Sequence, residues 1–377
     1  MNENKINKTL GILGGGQLGK MLLQKAADYN ITAYVIDPDE NAPCKNLCAK
    51  FVNASFKDFN AVMDFGKLCD IITVEIEHVN TDALLELEKW GKKIFPQPDI
   101  LKMVQDKGLQ KLFYQEHNIP TADFYLVENK SEILTTKFPL IQKTRTAGYD
   151  GKGVKKLNNV ADLKIAFDEP CVIESYVEFE KEIAIIVARN EDGETKCFPA
   201  VEMIFNAEAN LVELLFSPAN ISSQIETEAE AIAIKLINDL QLVGILAVEL
   251  FLTKEGKVLV NEIAPRPHNS GHQTIEGNVT SQYEQHLRAI FNLPLGSTAI
   301  VNPAVMVNIL GEKNYTGEAK YEGLDDVLKI EGAYVHLYGK KITKPFRKMG
   351  HVTVVNKDLN IALRDAKKIM STLKVIA

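Results

Sequence analysis

The sequence lacks the features that mark secreted and membrane proteins. Its 377 residues include only five cysteines, and the N-terminal stretch has no apolar core of a signal peptide. No apolar run approaches the roughly 20 residues that a membrane span needs. We therefore expect a cytoplasmic protein with reduced thiols and no membrane partner.

Positive charge is also in short supply. Asp and Glu outnumber Lys and Arg by 50 to 43, which gives a formal net charge of −7. This balance argues against nucleic acid as a partner, because binding a polyanion needs a basic surface. The pattern GxxxxGK[ST] is absent as well, so the glycine-rich segments of this chain are not Walker A loops.

The N-terminal part has a strand, a glycine turn and a helix in succession. Apolar residues at 9–14 predict a strand, and residues 18–29 predict an amphipathic helix. Between them lies Gly14-x-Gly16-x-x-Gly19, and Asp37 follows about twenty positions on. These items together match the dinucleotide-binding fingerprint, so an NAD-dependent oxidoreductase is one interpretation of this segment.

Further along, strands and helices alternate until two prolines in "IFPQPDI" break the pattern. We place the first domain, with a parallel α/β sheet, at residues 1–97. A second domain at 98–185 begins with a helical segment that extends to about residue 126. A third domain at 186–377 includes a small C-terminal β-rich part.

A hairpin in "GILAVELFLTKEGKVLVNEIAP" has one glutamate on each strand. A turn at Lys254-Glu255 makes Glu262 the diagonal neighbour of Glu249, and a turn one residue later makes them directly opposed. Either even-length loop puts both carboxylates on one face, about 4.5–8 Å apart. Such a pair favours Mg²⁺ bound together with nucleotide phosphates, with Asn261 as a further oxygen donor. Two solvated glutamates are the alternative.

The segment "TRTAGYDGKG" is rich in glycine and flanked by positive charge. Its glycines allow the backbone to approach a ligand closely, and Arg145 and Lys152 attract anions. These properties suit a lid over ATP phosphates. An exposed hairpin tip is the equally simple alternative.

Two further segments concentrate polar side chains. "RPHNSGH" follows the carboxylate hairpin directly, and such density beyond a strand end favours a substrate pocket. "HLYGKKITKPFRKMGH" forms a basic patch suited to a phosphate monoester, or else a solvated loop. Its cations are Lys340, Lys341, Lys344, Arg347 and Lys348.

These segments, in this order, resemble the ATP-grasp superfamily and, within it, the 5-(carboxyamino)imidazole ribonucleotide synthases. The matching pieces run from residue 11 to residue 351 and include "GILGGGQLG", "VEIEHV", "VIESYVEFEKE" and "VNEIAPRPHNSGH". The resemblance implies an ATP-grasp fold with an N-terminal Rossmann-like domain. It also implies an ATP-dependent carbon–nitrogen ligase of purine biosynthesis. The reaction would be the carboxylation of 5-aminoimidazole ribonucleotide by bicarbonate in a homodimer.

The resemblance also implies a role for each matching residue. ATP would contact Lys107, Lys143, Gly148, Tyr149, Asp150, Gly151, Lys152, Gly153, Val154, Glu174, Ser175, Tyr176, Val177, Glu182, Asn261 and Glu262. The ribonucleotide would contact Gln17, Leu18, Glu75, Tyr149, Arg266, His268, Asn269, Lys340 and Arg347. Mg²⁺ would lie between Glu249 and Glu262. Asp150 and Lys340 would be the catalytic residues, and Asp150 would take the proton of the substrate amine.

Two positions depart from the pattern of the family. Phe205 stands where many members have a nucleotide-facing histidine, and Val154 stands where many have glutamine. Three other functions stay open beside the carboxylating ligase. They are an NAD-dependent oxidoreductase, a non-catalytic nucleotide-binding protein, and another ATP-grasp ligase such as the formate-dependent glycinamide ribonucleotide transformylase.

Overall fold

The computed structural model describes residues 5–146, 153–206 and 211–377. The N-terminal strands are β1 (Leu10–Leu13), β2 (Ala33–Asp37), β3 (Lys50–Asn53), β4 (Ile71–Val74) and β5 (Lys93–Ile94). The helices between them are α1 (Gln17–Asp28), α2 (Phe59–Lys67) and α3 (Thr81–Lys89). All pairs are parallel, in the order β3-β2-β1-β4-β5. This arrangement confirms the expected Rossmann-like domain.

The central strand of this sheet is covered on both faces. All four residues of β1 are buried. Leu10 and Ile12 pack against α1, whereas Leu13 points the other way and packs against α2 and α3. A continuous apolar strand of this kind is typical of a parallel sheet between two helical layers.

The second part begins with α4 (Pro98–Val104) and α5 (Lys107–Glu116). Its antiparallel sheet contains β6 (Phe124–Val127), β7 (Leu140–Thr144), β8 (Val154–Leu157) and β9 (Cys171–Ser175), in the order β6-β9-β7-β8. The predicted helix to residue 126 is wrong. The chain leaves the helix at Asn118, which has a left-handed φ of 52°, and Pro120 follows. Asn in this conformation and a nearby Pro are common helix terminators.

A large antiparallel sheet forms the third part. Its strands are β10 (Phe179–Arg189), β11 (Thr195–Cys197), β12 (Val201–Asn206), β13 (Leu211–Ser217), β14 (Gly244–Thr253), β15 (Val258–Ala264) and β16 (Ala304–Leu310). Two short pairs follow: β17 (Gly317–Glu318) with β20 (Ile342–Thr343), and β18 (Lys320–Glu322) with β22 (Lys374–Ile376). The remaining strands are β19 (Ala333–Leu337) and β21 (Lys348–Val355), and the order is β15-β14-β10-β12-β13-β16-β21-β19.

The C-terminal β-rich strands are thus continuous with the rest of the large sheet through the β13–β16 pairing.

The third part also contains five helices among its described residues: α6 (Ser223–Asp239), α7 (Thr274–Gly277), α8 (Gln282–Ile290), α9 (Leu324–Val327) and α10 (Leu359–Thr372). The predicted boundary at 185/186 falls inside β10, which begins at Phe179. Among the described residues, no helix is long and apolar enough to cross a bilayer.

Three contacts bring the parts together around one cleft. The backbone N–H of Val260 on β15 donates to the carbonyl of Pro120, which lies between α5 and β6, at 2.8 Å. Lys20 on α1 donates to the carbonyl of Leu337 on β19 at 2.8 Å. The third contact joins the imidazole of His286 to the first sheet.

The His286 imidazole is fully buried on α8, and its Nε2 lies 2.9 Å from Thr73 Oγ1 on β4. Burial lowers the pKa of His286 to about 3. In the unfolded chain an imidazole takes up a proton near pH 6.5. Below that pH the unfolded state therefore binds more protons than the native state, and stability falls as the pH falls.

We expect His286→Gln to remove this part of the pH dependence. The stability that His286 contributes should fall by about 2 kcal/mol between about pH 7.5 and about pH 5. Urea unfolding of both proteins at the two pH values measures the difference. His117→Gln is the control, because this imidazole is 33% exposed and faces Asp239 at 3.3 Å, so its removal should not abolish the loss of stability at low pH. Equal pH dependence in the wild type and His286→Gln would contradict the expectation.

Candidate active site

The carboxylate hairpin does not keep one register from end to end, as both predictions assumed. Next to the turn, Leu252 pairs with Val258 and Leu250 pairs with Val260. Continued without change, this odd-length loop would place Glu249 opposite Asn261. A β-bulge shifts the register there, and Glu249 pairs directly with Glu262.

The bulge has a chemical consequence. It places two consecutive residues of β15, Asn261 and Glu262, opposite the single residue Glu249. Both then reach lysines of the second part of the chain. Asn261 Oδ1 accepts a hydrogen bond from Lys143 at 3.0 Å, and Glu262 Oε1 accepts one from Lys107 at 2.6 Å.

The two facing carboxylates have opposite pKa shifts. Burial, followed by the negative charges of Glu262 and Glu182, raises the pKa of Glu249 to about 8. Desolvation acts in the same direction on Glu262, but Lys107 and Lys143 outweigh it and hold the pKa of Glu262 below its ordinary value. The Glu262 side chain is 49% exposed to the cleft. Burial also raises the pKa of Glu182 on β10 to about 7, although Lys143 opposes the shift.

A buried ion cluster lies beside the hairpin. Glu174 on β9 is held between two lysines, with Lys143 Nζ 2.9 Å from its Oε2 and Lys111 Nζ 2.9 Å from its Oε1. Desolvation alone would raise the pKa of Glu174, but the two lysines hold it below its ordinary value. At the start of α5, Arg145 pairs with Asp106 through both carboxylate oxygens, at 2.9 and 2.6 Å.

The N-terminal glycine turn is occupied by side chains of its own domain. Gly15 N donates to Asp37 Oδ2 at 2.7 Å, and Gly19 N donates to Glu75 Oε2 at 3.2 Å. A Cβ added to Gly16 would lie 2.5 Å from Glu75 Oε1. Two carboxylates therefore fill the helix N-terminus where a dinucleotide pyrophosphate would bind. Gln17 and Leu18 begin α1 beside this turn.

The segment after the carboxylate hairpin is tied into the site by three different contacts. Arg266 Nε lies 2.7 Å from Glu77 Oε1, and His268 Nε2 lies 3.7 Å from Glu249 Oε1. The Asn269 amide is paired head to head with the Asn308 amide, with both bonds 2.9 Å long. The sequence predicts that Asn269 contacts the ribonucleotide. Here one N–H and the carbonyl oxygen of the Asn269 side chain are bonded to Asn308.

The basic segment approaches α1 from the C-terminal part. Lys340 Nζ donates to the Lys348 carbonyl at 2.8 Å, and Arg347 Nη1 donates to the Ile342 carbonyl at 2.6 Å. Lys341 Nζ reaches Asn41, in the loop after β2, at 2.7 Å. The segment therefore contacts the loop after β2 through Lys341, whereas Lys340 and Arg347 donate to carbonyls of the segment itself.

The proposed lid is described only at its ends. Gly148, Tyr149, Asp150, Gly151 and Lys152 lie outside the described residues. Gly153 has a φ of 78° and its carbonyl accepts from Thr144 N at 2.9 Å, and Val154 pairs with Lys143.

The segment after Glu174 leads into β10. It consists of Ser175 at the end of β9, the exposed Tyr176, and Val177. Phe205 packs against the apolar cluster of Met203, Leu215 and Met306.

Comparison with known proteins identifies the family. Three family models match along the chain: the ribonucleotide synthetase preATP-grasp domain at 7–105, the ATP-grasp domain at 112–283, and the phosphoribosylaminoimidazole carboxylase C-terminal domain at 304–365. The N5-carboxyaminoimidazole ribonucleotide synthase of Bacillus subtilis is 38% identical, over 91% of this chain and 90% of that protein. The chain belongs to the N5-carboxyaminoimidazole ribonucleotide synthase family.

Solved structures agree with this assignment. The Thermotoga maritima synthetase of this family superposes with a TM-score of 0.91 at 44% identity, covering 98% of this chain and 99% of that one. A synthase from Aspergillus clavatus, in complex with ADP and 5-aminoimidazole ribonucleotide, superposes with a TM-score of 0.88 at 33% identity, covering 97% and 98%. The phosphoribosylaminoimidazole carboxylase of Ogataea methanolica is 40% identical over 94% of this chain, which spans 67% of its length.

One buried lysine beside these residues was not among the residues that the sequence predicts for the site. Lys111 lies four residues after Lys107 on α5, and its side chain is only 4% exposed. A lysine one helical turn from another is normally part of a solvated face, so the sequence carried no signal for it. A buried lysine becomes significant only when its partner is known.

We expect the glycine turn not to bind NADH, because its pyrophosphate would meet the carboxylates of Glu75 and Asp37. A titration at micromolar NADH, followed by fluorescence, should show no saturable change. A fluorescent ATP analogue serves as the positive control for the same protein sample. Saturable enhancement of NADH fluorescence would restore the oxidoreductase interpretation.

Proposed function

We propose that this chain carboxylates the exocyclic amine of 5-aminoimidazole ribonucleotide, using ATP and bicarbonate, in purine biosynthesis. The observation that carries the proposal is the convergence of the Glu249–Glu262 pair with Lys107 and Lys143, which approach from the second part of the chain. The ligands bound to the Aspergillus clavatus synthase support the same substrates. A homodimer in the cytoplasm is the expected state.

ATP would lie between the two sheets that flank the cleft. Lys107 and Lys143 can neutralise its phosphates, and the segment Glu174–Val177 can contact the adenine. Glu182, on the first strand of the large sheet, would reach the ribose. The glycine-rich segment around Asp150 would cover the phosphates, and its described ends, Thr144 and Gly153, are hydrogen-bonded to each other next to Lys143.

The paired carboxylates fit a magnesium ion that arrives with the nucleotide. Within the described residues, no group of three or more His, Cys, Asp or Glu side chains could hold a metal alone. Mg²⁺ commonly uses one or two carboxylates and completes its coordination with phosphate oxygens and water. Glu249 and Glu262 provide this pair, and the bound ion would neutralise charge on the phosphoryl group during its transfer.

The ribonucleotide would bind on the other side of the cleft. Gln17 and Glu75 lie at the glycine turn, Arg266 and His268 lie beyond the hairpin, and Lys340 and Arg347 are suited to the 5′-phosphate. This arrangement gives ATP and the ribonucleotide separate walls of one cleft. The glycine turn, freed from a dinucleotide role, then faces the second substrate.

Two steps complete the reaction. An oxygen of bicarbonate attacks the γ-phosphorus of ATP, which releases ADP and forms carboxyphosphate. The substrate amine then attacks the carboxyl carbon of carboxyphosphate and displaces phosphate, or attacks CO₂ after carboxyphosphate has released phosphate. In either case Asp150 would take the proton that leaves the nitrogen. Lys107 and Lys143 stabilise charge in the first step, and a closed lid keeps the reactive intermediate from water.

The experiment that tests this function measures ADP release with a panel of acceptors. We expect release to require bicarbonate together with 5-aminoimidazole ribonucleotide, and to be at background with formate and glycinamide ribonucleotide. Dependence on formate and glycinamide ribonucleotide would instead assign the chain to the formate-using ligases. ATP binding without acceptor-dependent ADP release would indicate a non-catalytic protein.

A matched pair of variants checks that this activity comes from the described site. Glu249→Gln should lower turnover by about a hundredfold or more, because electrostatic stabilisation of a transferring group contributes about that much. Glu228→Gln changes an exposed glutamate on α6 and should leave turnover unchanged. Similar rates for both variants would place the chemistry elsewhere.

We also expect Asp150→Asn to lower the turnover number by about 10² to 10⁴, the usual contribution of a general base. The acidic limb of its pH–rate profile should disappear, because the amide cannot accept the amine proton. ADP binding should be retained, which separates loss of the base from loss of the nucleotide site. Near-normal turnover with an unchanged pH profile would remove Asp150 from the catalytic role.

A further inference from the structure

The ion cluster around Glu174 contains one more lysine than the proposed nucleotide contacts need. Lys143 and Glu174 have expected roles at the ATP site, whereas Lys111 has none. Yet Lys111 lies as close to the carboxylate as Lys143 does, at 2.9 Å on the other oxygen. A buried lysine is costly unless its charge is used, so its presence calls for a physical reason.

The two lysines differ in what they can reach. The Lys111 side chain is 4% exposed and is enclosed by Thr121, whose Oγ1 accepts from Lys111 Nζ at 2.6 Å, and by the rings of Tyr114 and Phe124. Lys143 is 13% exposed and also reaches Asn261, at the bulge beside the carboxylate pair. Only the second ammonium group borders the cleft where phosphates would lie.

A charge count explains the arrangement. Glu174 with Lys143 alone would form a buried pair with no net charge. The positive charge of Lys143 would then be neutralised by Glu174. Lys111 adds a second positive charge, so the cluster of three carries a net charge of +1. Of the two lysines, Lys143 is the one that meets the cleft, where Glu182 and Glu262 also lie within its electrostatic reach.

The cluster is also connected to the hairpin through a second route. Thr121 Oγ1, which accepts from Lys111, donates to the carbonyl of Val260 at 2.7 Å. Val260 directly precedes Asn261, the bulged residue that accepts from Lys143. Lys111 is therefore connected to Val260 through Thr121, and Lys143 donates directly to the next residue, Asn261.

We propose that Lys111 is a positioning residue of the nucleotide site, which neutralises Glu174 so that the charge of Lys143 serves the polyphosphate. This inference rests on the proposed function, since it concerns the same ATP site. Lys111 itself does not touch the nucleotide. It acts through Glu174, and it should therefore matter for phosphate-bearing ligands and not for the nucleoside alone.

The test compares the binding of ATP, ADP and adenosine to the full chain by calorimetry. Lys111→Met should weaken ATP binding on the order of tenfold, because Glu174 is then neutralised by Lys143 alone and the charge of Lys143 is no longer available to the phosphates. The binding of adenosine should weaken far less. The KM for the ribonucleotide should stay within about twofold of the wild-type value, because Lys111 is remote from that wall of the cleft. Lys102→Met, on the exposed face of α4, is the matched control.

A double-mutant cycle makes the inference independent of simple destabilisation. If Lys111 acts through Glu174, then Lys111→Met should change ATP affinity by less than about threefold in a Glu174→Gln background. If Lys111→Met alone does not fold, Lys111→Gln takes its place in the cycle, because its amide removes the charge and keeps a donor for Thr121. Equal losses in both backgrounds, or equal losses for ATP and adenosine, would overturn the inference. If the wild type itself binds no ATP, the proposed function fails instead.

Discussion

The direct pairing of Glu249 with Glu262 is the constraint on which the rest of the site depends. Burial raises the pKa of Glu249, and the repulsion between the two facing carboxylates adds to the shift. The fold compensates with positive charge from another part of the chain, through Lys107 and Lys143. Lys107 begins α5 and Lys143 lies on β7, so the same contacts join the second part of the chain to the large sheet.

Charge is organised around the cleft in opposing layers. Carboxylates of the large sheet face Lys107 at the start of α5 and Lys143 on β7, and the glycine turn is filled by Asp37 and Glu75. A polyphosphate with a bound cation could replace the ion pairs within the protein. The lysines would then pair with phosphate and the carboxylates with the cation, and these protein charges are already in place.

Much of this organisation could be predicted from residues alone. The βαβ alternation, the hairpin with its glutamates and the basic C-terminal segment all follow from local patterns, and their order along the chain was sufficient for the family. Failures occurred where a local pattern was overridden. The helix predicted to residue 126 ends at Glu116, because Asn118 and Pro120 terminate it and the following residues pair with β9.

The sequence by itself therefore determined which chemical groups are present and in what order they follow one another. Tertiary structure alone decided which of them meet. The odd-length loop would have separated Glu249 and Glu262 without the bulge at Asn261, and a bulge leaves no mark in apolar periodicity. Likewise, Lys111 is an ordinary helical lysine in sequence. It became part of an ion cluster because α5 packs against β9, and that contact spans more than sixty residues of chain.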